Sequence, residues 1–257
     1  MRESGAPVVT LVAKSHDRHV ELALRTTLQE NLAMIRDTVS HLRAEGQRVF
    51  LDAEHFFDGY RSNPAYALEV VRTAAEAGAD VIALCDTNGG MLPDELAEIV
   101  QEAVRTSARV GIHCHDDTGC AVANTLAAVK AGATHVQGCA NGYGERSGNA
   151  NLFTVVANLQ LKRGFDLVPE QSLADMTRIA HAITEVTNVT PPTPTPPTSA
   201  PPPSPTRPAC TPAPSRSTPT STSTSTPPRS ATTCACSSPT WPAAPPSSSR
   251  AASWATS

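Results

Sequence analysis

No stretch of this 257-residue chain is apolar for long enough to span a membrane, and the apolar part of its opening, "MRESGAPVVTLVAKS", is too short for a secretory leader. A basic surplus is missing as well. Twenty Lys and Arg face twenty-four Asp and Glu, and no basic stripe suits a phosphate backbone, which argues against nucleic acid as a partner. Cys85, Cys114, Cys120 and Cys139 lack zinc-finger spacing, as expected of reduced thiols inside a cell. Together these absences describe a soluble, cytoplasmic protein with neither membrane nor nucleic acid as partner.

A further absence divides the chain. Beyond residue 189 there is no Asp, Glu, His or Lys, and four arginines are the only charges among Pro, Ser, Thr and Ala. Such a composition cannot bury enough apolar surface to offset the entropy of ordering it. Residues 190–257 are therefore expected to be a disordered, low-complexity tail, and residues 1–189 a globular domain large enough for a sizeable core.

Within 1–189 the pattern alternates strand and helix. "VVTLVAKS", "RVFLDAEHF", "DVIALCDT", "RVGIHCHDD" and "HVQGCANG" are short, nearly continuous apolar runs ending in polar residues. Between and after them lie segments of helical spacing, among them "LQENLAMIRDTVSHLRAEG" closing on Gly46 and "PDELAEIVQEAV" with Pro93 in its first turn. Five such βα units predict an α/β fold with a parallel sheet, either open and doubly wound or part of a (β/α)8 barrel.

In both folds function gathers at the carboxyl ends of strands. His113 and His115, in "GIHCHDDTG", share one face of their strand while Cys114 points away, which suits a shared divalent ion; the same pair could serve as hydrogen-bonded rim histidines. Asn149 offers an amide oxygen or a helix cap. Glu54 is a candidate general base or an exposed loop carboxylate. Thr87 could donate to a substrate carboxylate or organise its turn. Asp116 and Asp117 could orient the histidines or cap the next helix, and Arg146 in "GYGERSG" could sit in a surface ion pair.

Three stretches carry a resemblance: "RTTLQENLAMIRDTV", "DAEHFFDGYRSNPAYALEVVRTAAEAGADVIALCDTNGGMLPDEL" and "HCHDDTGCAVANTLAAVKAGATHVQGCANGYGERSGNANL". They closely resemble the citramalate synthases, relatives of 2-isopropylmalate and homocitrate synthases. The resemblance implies a homodimeric TIM-barrel metalloenzyme condensing acetyl-CoA with a 2-oxo acid, most like pyruvate, to give citramalate for isoleucine synthesis. It further implies that His113, His115 and Asn149 hold a divalent metal (Mg, Mn or Zn), that Glu54 lies near the reacting methyl group, and that Thr87 stands beside the substrate carboxylate. The alternatives are 2-isopropylmalate synthase, a metal-dependent lyase of the hydroxymethylglutaryl-CoA type, against which "NGYGERSGN" argues, and a remnant without activity.

Two departures from the family stand out. The "D-x-T-L-R-D-G" stretch that would supply an anionic metal ligand on the first barrel strand is not in this sequence, whose Met1 falls near the fourth strand. The family's continuation, like Y-V-G-A-S-A-F-A-H-K-A-G-L-H-A-S-A-I-K, read one base late from GC-rich codons, yields the sequence standing at Thr198 to Arg216. The tail is accordingly expected to be an out-of-frame translation, and the chain alone to be inactive.

Overall fold

The computed structural model describes residues 5–189 apart from residue 107, so the expectations for 190–257 lie outside the described residues. The elements are β1 (Val8–Lys14), α1 (Asp17–His19) running into a π-helical turn (Val20–Leu24), α2 (Leu28–Ala44), β2 (Arg48–Glu54), α3 (Phe56–Ser62), α4 (Pro64–Glu76), β3 (Val81–Asp86), α5 (Pro93–Val104), β4 (Val110–Cys114), α6 (Ala121–Ala131), β5 (His135–Gln137), a 3-10 turn (Ala140–Gly142), α7 (Leu152–Arg163), α8 (Glu170–Ala174) and α9 (Met176–Thr187). Their ends follow local chemistry. Thr27 Oγ1 accepts the Glu30 N–H at 3.1 Å to start α2, and Asn63 Oδ1 accepts the Tyr66 N–H at 3.2 Å where Pro64 begins α4. Gly132 and Gly164, both at positive φ, stop α6 and α7.

All five strands are parallel and lie side by side in chain order. Crossovers of one hand between successive neighbours put the connecting helices on the same face, which is barrel winding; a doubly wound sheet would reverse its strand order. Val49, Leu51 and Ala53 of β2 are fully buried beneath the helices, whereas their neighbours Phe50, Asp52 and Glu54 are only half-buried on the other face. The core lies between sheet and helices, with Leu51, Leu84 and Ile112 against Ile35 and Val39 of α2, Val70 and Ala74 of α4, and Leu96 and Val100 of α5.

The free face is concave. Gln137 Nε2 on β5 donates to Asp52 Oδ1 on β2 at 2.8 Å, and the rings of Phe50 and His135 meet edge to face at 5.0 Å between the same two strands. Three strand spacings along a flat sheet amount to about 14 Å, beyond the reach of either pair, so the sheet curls toward closure as a barrel segment does. Among the described residues no helix is long and apolar enough to cross a membrane.

Candidate functional site

Strand register places the candidate residues before any side chain is considered. Lys14 is level with Glu54, and Cys85 with His113 and Gln137. Because alternate residues share a face, these five form one row on the concave side near the strand ends. After β5 the chain turns back so that Ala150 N–H donates to Cys114 O at 3.0 Å and Asp116 N–H to Gly148 O at 2.9 Å. An isolated antiparallel bridge then joins His115 to Asn149. Two side chains distant in sequence are thereby brought beside one strand end.

His113 sits at the centre of this arrangement. Its Nδ1 lies 3.0 Å from Gln137 Oε1, and its Nε2 lies 3.2 Å from the Asn149 side-chain amide. Asn149 Oδ1 is buried with no hydrogen-bond partner. Capping of the following helix falls instead to Asn151, whose Oδ1 accepts the Phe153 N–H at 3.1 Å, so Asn149 is free of that duty. Gly144 permits the packing, since a Cβ there would lie 2.4 Å from Asn149 Oδ1.

His115 is buried, and its Nδ1 faces Arg146 Nη2 at 3.1 Å. Burial first, then the neighbouring His113 and Arg146, holds its imidazole below the ordinary range. Arg146 also donates to Thr87 O at 2.7 Å and pairs with Asp117 at 2.9 Å, so the residue that could have been a surface ion pair is also the link between His115 and the Thr87 turn. Asp116 Oδ1 accepts the Ala121 N–H at 2.8 Å and caps α6. The two adjacent aspartates thus divide the alternatives, one serving the helix and one the arginine beside His115.

Thr87 Oγ1 accepts the His55 N–H at 2.8 Å, which organises the turn and leaves its own proton available for donation. Glu54 stands apart from the histidines and pairs with Lys14. Burial pushes the thiols of Cys85 and Cys114 well up, so neither is a nucleophile at neutral pH. Asp52 and Gln137 were not singled out from the sequence, although the period of two that selects Glu54 also selects Asp52.

Among the described residues no three His, Cys, Asp or Glu side chains converge to hold a metal ion. The set that could hold a cation once Arg146 leaves His115 is the mixed one of His113, His115 and Asn149. The two imidazole centroids are 5.2 Å apart. Two rings bound to one tetrahedral ion through Zn–N distances of about 2.1 Å would have centroids about 5 Å apart. The orphaned Asn149 oxygen lies at the same strand end, and leaving it unpaired costs about 1–3 kcal/mol.

The HMGL-like family model matches residues 2–186. The chain is 71% identical over 195 residues to an (R)-citramalate synthase of Streptomyces coelicolor, covering 76% of this chain and 36% of that one. With an (R)-citramalate synthase of Aquifex aeolicus the identity is 53% over 185 residues, covering 71% and 35%. The chain therefore spans about a third of the length of these curated relatives. Among solved structures, hydroxymethylglutaryl-CoA lyase from Pseudomonas aeruginosa superposes with a TM-score of 0.63 at 20% identity, over 75% of this chain and 67% of that one, a likeness of fold.

Proposed function

The chain belongs to the HMGL-like family, and from that premise we propose that it carries part of a site condensing acetyl-CoA with pyruvate to give citramalate. The observation that carries the reading is the buried, unpartnered oxygen of Asn149 beside the two strand-end histidines. Identity of 71% to a protein named (R)-citramalate synthase supports the choice of substrates. In the overall reaction acetyl-CoA, pyruvate and water become citramalate and free CoA.

His113, His115 and Asn149 would hold a divalent ion such as Mg, Mn or Zn. When bound, that ion supplies Lewis-acid polarisation of the keto group under attack. Glu54 takes the proton from the acetyl methyl group, parting from Lys14 to do so, and the resulting carbanion equivalent attacks the keto carbon. The Thr87 hydroxyl donates to the pyruvate carboxylate while its oxygen keeps the His55 N–H. Arg146 ties the Thr87 turn to His115, so substrate positioning and ion binding share one linkage. The same reading implies a cytoplasmic homodimer serving isoleucine synthesis.

The test is a chimaera in which residues 8–189 replace the matching segment of the Streptomyces coelicolor relative. Release of CoA thiol with pyruvate should proceed, and His113→Ala or His115→Ala should abolish it. Preference for 3-methyl-2-oxobutanoate would reassign the chain to isopropylmalate synthesis, and cleavage of hydroxymethylglutaryl-CoA would make it a lyase. Normal turnover with both histidines replaced would overturn the metal role.

A further inference from the structure

Three polar side chains from three strands form a directed chain across the concave face: Asp52 on β2, Gln137 on β5 and His113 on β4. The contacts are 2.8 Å from Gln137 Nε2 to Asp52 Oδ1 and 3.0 Å from His113 Nδ1 to Gln137 Oε1. Their polarity follows from chemistry alone. An ionised carboxylate only accepts, so Gln137 must turn its NH2 toward Asp52 and its oxygen toward His113. That oxygen also only accepts, so His113 must carry its proton on Nδ1. Its Nε2 is then a bare lone pair, aimed at the Asn149 amide 3.2 Å away.

We infer that Asp52 and Gln137 are positioning residues that set the tautomer of His113, a role that gains its purpose from the metal-holding site proposed above. Neutral imidazole free in water favours the other tautomer, with the proton on Nε2, which cannot ligate through that atom. The relay reverses the preference before any ion arrives. His115 supplies the contrast within the same strand end. Its Nδ1 accepts from Arg146, a residue that only donates, so its proton sits on Nε2. The two histidines of "HCH" thus stand in opposite tautomers: His113 is ready to ligate through Nε2, whereas His115 must release Arg146 to ligate through Nδ1, and must in addition move its proton to ligate through Nε2.

The consequence for affinity follows from how outer partners act on metal-binding imidazoles. Removing the hydrogen bond that fixes a ligand's tautomer typically lowers metal affinity by about 10–100-fold. The negative charge that directs this relay lies one residue further out than a carboxylate in contact with the ring would. An amide relays the direction without bringing a full charge against the imidazole.

The experiment is a long-range 1H–15N correlation spectrum of the full 257-residue chain at a pH well above the imidazole range, with His113 assigned. This spectrum tells a protonated ring nitrogen from a bare one. The wild-type chain should show His113 protonated on Nδ1, and Asp52→Asn, which lets Gln137 face either way, should shift His113 toward Nε2–H. The double variant Asp52→Asn with Gln137→Glu moves the charge one step inward: the new amide donates to the new carboxylate, which accepts from His113, so Nδ1–H should return. A merely structural role for these residues would not produce that rescue. Nε2–H in the wild-type spectrum overturns the inference without reference to any variant, as does a native-like Asp52→Asn chain with unchanged His113. Addition of Mn2+ separates this result from the metal reading: Nδ1–H without selective broadening of His113 would sink the ion site and leave the relay standing.

Discussion

Replacing Gly144, at a φ of 157°, by Ala perturbs the candidate site through shape and backbone strain, without removing a donor or acceptor. The added Cβ would lie 2.4 Å from Asn149 Oδ1 and 2.7 Å from its Cγ, with the Asn149 backbone nitrogen at 3.2 Å. Reaching even the 3.0 Å that real Cβ atoms essentially never undercut requires the oxygen to move by about 0.6 Å, and ordinary contact at 3.4 Å requires about 1.0 Å. The Asn149 backbone is held by its N–H to Gly142 O at 3.1 Å and by the bridge to His115, so the side chain must absorb the displacement. Overpacking of this kind costs about 1–3 kcal/mol, and denaturant midpoints should register it. On the proposed role of Asn149 as an ion-holding residue, a displacement of that size should lower divalent-ion affinity about tenfold, measured by Mn2+ titration calorimetry against the wild-type chain. The reasoning fails if Gly144→Ala leaves affinity within about twofold while Asn149→Ala lowers it, because the clash would then have been absorbed away from the ligand.

Further outcomes follow from other parts of the molecule. In the chimaera, Glu54→Gln should keep ion binding while slowing CoA release by about 10²–10⁴-fold; an equal loss of both would show that Glu54 supports the ligands rather than the proton. Ile112→Ala, at a fully buried position in the middle of the sheet, should cost about 2–5 kcal/mol in urea unfolding, and a cost below about 1 kcal/mol would contradict the packing described. Burial holds His19, His115 and His135 below the ordinary imidazole range. Below about pH 6.5 the unfolded chain therefore binds protons that the folded chain refuses, so stability is complete above that value and is lost as pH falls through the lowered folded values. Urea midpoints should rise between about pH 5 and about pH 8, and His135→Phe should flatten the rise; a flat wild-type profile would refute it.

The five strands and the helices α2, α4, α5, α6 and α7 were legible because their apolar spacing and end signals agree, as at Gly46 and Pro93. The sequence pattern left barrel and doubly wound sheet open, since strand order is a property of the assembled chain; the contacts of β2 with β5 decide it. Helix α3 was missed for a physical reason. It begins directly after His55 in a left-handed conformation and carries Gly59, a residue that discourages a helix reading. Gly59 is required there because a Cβ would lie 2.5 Å from Ser15 O, a contact with no local signature. At the strand ends, the sequence singles out His113, His115, Asn149, Glu54 and Thr87 as candidates, whereas Gln137 emerges only from the pairing of β5 with β4, and its link to Asp52 only from the curvature that brings β5 over β2.

That curvature also has a mechanical side. The link from Gln137 to Asp52, with the Phe50 and His135 rings below it, acts as a bowstring across an arc of strands. Glu54 and His113 lie on strands two apart in this arc, so the gap between them depends on the bend of the sheet as well as on the rotamer of either residue. Loss of that link should let the arc relax, and the row from Lys14 to Gln137 should then spread like the ribs of an opening fan. A substitution deep in the concave face that loosens this link should therefore alter the distance between Glu54 and His113 even where the side chains at the rim keep their own conformations.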